Sequence, residues 1–196
     1  MSKKNISPLI FCALGNPGTK YRNTRHNIGW QFFANWQLTR SQNWSEKFKG
    51  EFAQADIKGE RRYFIAPHTF MNLSGESVQP LMAFFKLLAE NLVVFHDELD
   101  LPVGQLEFKQ GGGLAGHNGL KSIAQMLGTQ EFLRVRIGIG RPEFGSVSDW
   151  VLSDFSQDEK ITRDKVFRVL EQAITEWIDS NDFSSLQTKY NKKNLI

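Results

Sequence analysis

The residues best suited to chemistry gather near the N-terminus: Asn16 lies in the turn Leu14-Gly15-Asn16-Pro17-Gly18, and Arg25, His26 and Asn27 follow it. Histidine is the side chain that moves protons most readily near neutral pH. It needs a partner that holds one ring nitrogen as a donor and frees the other as a base, and a carboxylate does this. The stretch His96-Asp97-Glu98-Leu99-Asp100-Leu101-Pro102 supplies three carboxylates. Asp97 is the first after the apolar run Leu92-Val93-Val94-Phe95, and is the expected partner; Glu98 and Asp100 read as turn and capping residues. No G-x-S-x-G serine is present, and Ser74 in Asn72-Leu73-Ser74-Gly75-Glu76 reads as a helix cap. A His–Asp pair with no side-chain nucleophile points to water attacking an activated acyl bond, such as an ester.

Asn16, Asn72 and Asn118 recur at strand exits or helix starts and read as uncharged groups for binding carbonyls and hydroxyls; Asn27 reads as a turn or cap residue. The glycine-rich segment Gly111-Gly112-Gly113-Leu114-Ala115-Gly116-His117-Asn118-Gly119 lacks G-x-x-x-x-G-K-[ST], so it reads as a close backbone approach or a lid, not a nucleotide loop. Lys20, Arg22, Arg25, Lys109, Lys121, Arg134 and Arg136 adjoin these segments and favour a phosphate-rich substrate. Tyr21 and Phe70 can stack on bases, while core packing explains Phe70 equally well. His26, His68, His96, His117 and Asp97 are the conceivable metal ligands. No two histidines have i,i+4 spacing and no H-E-x-x-H occurs, so no metal is expected. His68 and His96 read as hydrogen-bonded structural residues, and His117 as either structural or part of the site.

Strands and helices must carry these loops. Pro8 to Leu14 and Leu92 to Phe95 read as buried strands, with a helix from about Thr24 to Gln37 after the first. Phe48 to Ile57 and Arg62 to Ala66 form a hairpin around Lys58-Gly59. A second helix is expected from Ser74 to about Glu90, with Phe85 and Leu88 on its buried face. Gln105 to Lys109 is a short strand, Asn118 to Leu127 a helix, and Arg134 to Gly140 a strand with one basic face; from about Gln157 the chain is mainly helical. The expected architecture is α/β: one globular domain over residues 1–196, a twisted mixed sheet flanked by helices. All four chemistry-bearing segments follow strands, so they converge if the strand ends share one edge.

The composition fits this picture. The 196 residues carry 24 Lys and Arg against 21 Asp and Glu, a net charge of +3. That excess is a mild pointer to a polyanion. The lone Cys12 excludes an internal disulfide and reads as a buried hydrophobe. No run is apolar enough to span a membrane, and Met1 to Ile6 lacks the apolar stretch of a secretory signal, so a cytoplasmic location is expected.

Taken in order, the segments from Leu14-Gly15-Asn16-Pro17-Gly18 to Arg141-Pro142 resemble the bacterial peptidyl-tRNA hydrolase family. The resemblance implies hydrolysis of the ester joining a peptide, or an N-blocked amino acid, to the 3′ ribose of tRNA. It implies His26 as base, Asp97 as its holder, and Asn16 as the residue telling blocked from free aminoacyl-tRNA. It places Tyr21, Phe70, Asn72 and Asn118 against the substrate and Lys109 and Arg136 at a tRNA phosphate clamp. A monomer without cofactor is implied. Three departures stand out: Phe70 where many members have tyrosine, Leu114-Ala115 within the glycine loop, and Glu107 where some members carry lysine.

Overall fold

The computed structural model describes residues 8–192, so the stretch Met1 to Ile6 lies outside the described residues. Seven strands form one sheet: β1 (Leu9–Ala13), β2 (Ser45–Lys47), β3 (Gly50–Ile57), β4 (Glu60–Pro67), β5 (Leu92–Glu98), β6 (Leu106–Gln110) and β7 (Leu133–Gly138). Their spatial order is β2-β3-β4-β1-β5-β7-β6. The central strands β4, β1, β5 and β7 are mutually parallel, and the flanking pairs are antiparallel. The sheet is therefore mixed, as expected.

Strand parity divides the core into two layers. Leu9, Phe11, Ala13, Val93, Phe95, Val135 and Ile137 pack on one face. Over them lie α1 (Ile28–Asn35), α6 (Gln157–Ser180) and α7 (Phe183–Tyr190). Ile10, Cys12, Leu14, Ile65, Leu92 and Val94 pack on the other face, beneath α3 (Gly75–Phe84) and α4 (Asn118–Leu127). Cys12 is fully buried, and burial pushes its thiol far above the usual range, so it is an inert core residue. At Gly29 a Cβ would lie 2.7 Å from the Phe95 carbonyl, so only glycine lets α1 sit this close to β5. That contact holds the start of α1, and the 3-10 turn Arg25–Asn27 that leads into it and carries His26, against the sheet. No described helix is long and apolar enough to cross a membrane.

Three expectations need correction. The helix after Ser74 stops at Phe84, where a Schellman motif closes it: Leu87 N–H donates to Met82 O (2.9 Å) and Lys86 N–H to Ala83 O (3.2 Å). Lys86 takes the left-handed conformation (φ 54°) that usually marks glycine, so the stop carries no local signature, and Leu88 is 65% exposed. The strand expected from Phe48 begins at Gly50, because Phe48 and Lys49 (φ 53° and 54°) form a tight turn after β2. The third correction concerns the glycine loop. β6 runs antiparallel to β7, with Gln110 opposite Leu133, so β6 ends at the edge opposite the other strand exits.

The loop nevertheless reaches the site by travelling back along the sheet. Gly111 N–H donates to Phe132 O, and the buried guanidinium of Arg134 donates to Gly112 O (2.9 Å) and Gly113 O (2.8 Å). From there the chain runs to His117 beside Asp97, which is in register with Ile137. That is about 13 Å along the strand. Arg134 is thus the internal fastener of the loop and not part of an open basic face.

Candidate active site

Asp97, the penultimate residue of β5, is almost completely buried, and its carboxylate gathers two imidazoles. His26 Nδ1 lies 2.8 Å from Oδ1 and 3.0 Å from Oδ2, and His117 Nε2 lies 2.9 Å from Oδ1. His26 sits in a short 3-10 turn, Arg25–Asn27, that leads into α1. His117 is the N-cap of α4, where its Nδ1 accepts the N–H groups of Gly119 (3.1 Å) and Leu120 (3.3 Å). A nitrogen that accepts two N–H bonds carries no proton, so His117 is the Nε2–H tautomer donating to Asp97. His26 must then donate from Nδ1, which leaves its Nε2 bare. That nitrogen has no partner among the described residues and faces the cavity that His26 lines.

The electrostatics agree with this geometry. Burial lowers the His26 pKa, but the charge of Asp97 and its hydrogen bond outweigh burial and raise it above the ordinary imidazole value. Burial raises Asp97, yet the two histidines together hold its carboxyl far below the usual range. Below them His96 donates Nδ1–H to the Asp97 carbonyl (2.8 Å), and burial, reinforced by His117, pushes it well down, so it is neutral. The expectation of a structural role for His96 fits its place inside β5. His68 differs, since its exposed ring faces Trp30 with centroids 5.6 Å apart.

Asn16 is held at three points. Its N–H donates to Asn27 Oδ1 (2.9 Å), its carbonyl accepts from Asn27 Nδ2 (2.9 Å), and its Oδ1 accepts from Met71 N–H (2.8 Å). The side-chain Nδ2 is left to offer. Asn27, fully buried, makes no cap bond to α1. It is the clamp that fixes Asn16, which corrects the reading of Asn27 as a turn or cap residue. Asn16, His26, Phe70, Asn72, Asp97 and Asn118 line one cavity of about 560 Å³. Phe70 is 53% exposed on its rim, so core packing does not account for it.

Tyr21, Lys109 and Arg136 do not line that cavity. Tyr21 lies in the short turn Thr19–Tyr21 under the Lys20 ammonium, 4.7 Å from the ring centroid. Lys109 lies on β6 opposite Arg134, with no ion pair among the described residues. Arg136 is paired with Glu98 (2.8 Å) and with Glu107. Glu98 is therefore a buried partner in an ion pair, and its other oxygen accepts the Asp100 N–H of the following turn (3.1 Å), the turn role the sequence suggests. Arg25 is also engaged internally: it holds both carboxylate oxygens of Glu159 (2.9 and 2.8 Å) and stacks on Trp150 at 3.8 Å.

Two parts of the site escaped the sequence reading. One is the wall formed by Val147, Val151 and Leu152 on α5 (Val147–Val151) and just beyond it, a five-residue helix too short for a periodic signal. The other is the second imidazole on Asp97, for which the only hint was the glycine-flanked position of His117. His26, Asp97 and His117 are also the described side chains grouped closely enough to hold a metal ion. Their 2.8 and 2.9 Å separations are hydrogen bonds. Tetrahedral zinc ligands sit about 3.3 Å apart at Zn–N bonds near 2.0 Å. The trio fits a proton network better than an ion.

The dual role of His117 can be separated by substitution. His117→Ala removes the cap of α4 and one N–H from Asp97, and should cost about 1–2 kcal/mol and about tenfold in turnover. His117→Asn keeps a capping oxygen but is too short to hold Asp97. It should recover the melting temperature and not the rate, as thermal unfolding and activity measured side by side would show.

Comparison with known proteins points to one family. A family model for peptidyl-tRNA hydrolase matches residues 10–195. The peptidyl-tRNA hydrolase of Staphylococcus haemolyticus is 44% identical over 183 residues, and that of Staphylococcus saprophyticus is 44% identical over 181. Each match covers 91% of this chain and 95% of the relative. A peptidyl-tRNA hydrolase solved with N-propanol superposes with a TM-score of 0.88 at 31% identity, covering 95% of both chains. The Acinetobacter baumannii peptidyl-tRNA hydrolase gives 0.85 at 32% identity, covering 93% of this chain and 94% of its own.

Proposed function

The chain belongs to the peptidyl-tRNA hydrolase family, and we propose that it splits the ester between a peptide, or an N-blocked amino acid, and the 3′ ribose of tRNA, with His26 as general base. One observation carries the mechanism: His26 donates Nδ1–H to a carboxylate whose other imidazole partner has a fixed tautomer. The bare Nε2 takes a proton from water, and the resulting hydroxide attacks the ester carbonyl. The imidazolium that forms is stabilised by Asp97. The tetrahedral intermediate collapses with release of the ribose 3′ oxygen, which recovers the proton from His26.

Asn16, with its oxygen already engaged, presents Nδ2 to an acyl carbonyl near the reacting bond. A blocked amino group carries such a carbonyl and a free amino group does not, which supports the selective role for Asn16. Asn72 and Asn118 are exposed at the cavity and free to meet the substrate, and Phe70 offers its ring at the rim, while Tyr21, outside the cavity beside Lys20, would meet the substrate further out. Lys109 serves as the available phosphate contact; Arg136 joins it only by exchanging Glu107 for phosphate. The enzyme works as a monomer in the cytoplasm, with no cofactor.

The deciding experiment supplies N-acetylated aminoacyl-tRNA and the free aminoacyl form in parallel. Release from the first and not the second is expected, unaffected by chelators. Tight tRNA binding without release would instead make this an RNA-binding protein on the same scaffold, and loss of activity on chelation a metal-dependent esterase.

A further inference from the structure

A second cavity, of about 840 Å³, lies beside the first. Gly18 and His68 line it, whereas Asn16 and Phe70, two residues away on the same two loops, line the first cavity. Two residues span at most about 7 Å, so the cavities are neighbours. Trp30, whose ring occupies the place of a Cβ on Gly15 (2.6 Å), lines the second cavity next to the loop that carries Asn16. Trp30, Trp44 and His68 give the second cavity aromatic walls. Arg22 and Arg40 are exposed on it and make no ion pair among the described residues. Arg163 adds a third cation, already paired with Asp164, and Glu51 is the acid in the lining.

We propose that this cavity receives the peptide of the substrate beyond about its third residue from the ester, and that it favours acidic and aromatic side chains. The inference rests on the hydrolase reading above. In the sheet, Lys109 lies on the β7–β6 side of the β1–β5 centre, and the second cavity adjoins β4 and β3 on the other side. With tRNA phosphate at Lys109 and the ester at His26, the acyl chain points toward the second cavity. Asn23 and the Asn35 side-chain oxygen suit a polypeptide backbone, Gln31 being held by Thr24 and Arg163, and the unpaired arginines suit carboxylates.

Two variants test this away from the reacting centre. Ala34→Trp fills the cavity from an exposed position on α1, and Arg40→Glu reverses an exposed, unpaired charge. Each is assayed with N-acetyl-aminoacyl-tRNA and with blocked hexapeptidyl-tRNAs, one acidic and one lysine-rich. Both variants should lower kcat/KM on the acidic hexapeptidyl substrate about tenfold and leave the short substrate within twofold of wild type. Arg40→Glu should also narrow or reverse the preference for acidic over lysine-rich peptide. Variants matching wild type on all three substrates would overturn the inference while leaving the hydrolase reading standing. Weakened binding of deacylated tRNA would overturn it in favour of an RNA contact. A wild-type enzyme inert toward every substrate would remove the hydrolase reading, and this inference with it.

Discussion

His26→Ala should release N-acetylated amino acids from tRNA about 10²–10⁴-fold more slowly than wild type, with KM little changed. The imidazole is the only group in the cavity that combines a bare nitrogen with a buried carboxylate behind it. Its loss removes proton transfer from the rate-limiting barrier without removing the asparagines that hold the substrate. The folded state should survive, because Asp97 keeps its bond to His117 Nε2. A melting curve taken beside the kinetics separates this result from simple unfolding. Turnover near wild type with an intact fold would exclude His26 as the base.

Asp97→Asn should be at least as damaging, by about 10³–10⁴-fold, and for a specific reason. The carboxylate accepts from two imidazoles with either oxygen, whereas an amide keeps one accepting oxygen and replaces the other with a donating NH₂. His117 cannot change tautomer, because its Nδ1 is committed to the N–H groups of Gly119 and Leu120. It therefore claims the amide oxygen. His26 shares that oxygen at 2.8 Å but also meets the NH₂ group in the Oδ2 place, 3.0 Å from its Nδ1, a donor that favours moving the proton to Nε2, the nitrogen that has to be bare. Removing His117 as well frees the amide to present its oxygen to His26. Asp97→Asn/His117→Ala should accordingly recover about tenfold of the loss, a non-additivity that two independent residues would not show.

The same pair makes stability and activity depend on pH in opposite senses. His26 has a raised pKa in the folded state, so its share of the stability is fully present below about 6.5 and is lost as pH rises through the raised value. Asp97 has a depressed pKa, so its share is present above about 3.9 and is lost as pH falls through the depressed value. The pair therefore contributes most between about pH 4 and 6.5. With His26 as the proposed base, activity should rise as pH climbs past that window and the imidazole loses its second proton, as a pH–rate profile would show. The protein should be most tightly held where His26 is still protonated.

The features legible in the sequence were those set by local chemistry. Apolar runs marked β1 and β5, the Lys58-Gly59 turn marked the β3–β4 hairpin, and the polar residues after β1 and β5 marked the His26–Asp97 pair. What stayed hidden was written by residues breaking local habit or by partners far apart in the chain. Phe48-Lys49 and Lys86 adopt left-handed turns without glycine, so β2 and the end of α3 gave no signal. Arg136 looks like an open cation until Glu98 and Glu107 are brought beside it from two other strands. Asn27 looks like a cap until the β1 turn folds back and places Asn16 against it. The glycine loop follows a strand, as the pattern required, but from the wrong end of the sheet; Arg134, an apparent surface cation, is what returns it to the site.

The most direct test is to follow the ¹⁵N chemical shifts of the His26 imidazole through a pH titration of the folded wild-type protein. The account predicts a proton on Nδ1 and a bare Nε2 above neutral pH, with the second proton taken up at a pKa above 6.5. A proton resident on Nε2, or uptake below the ordinary imidazole value, would contradict it.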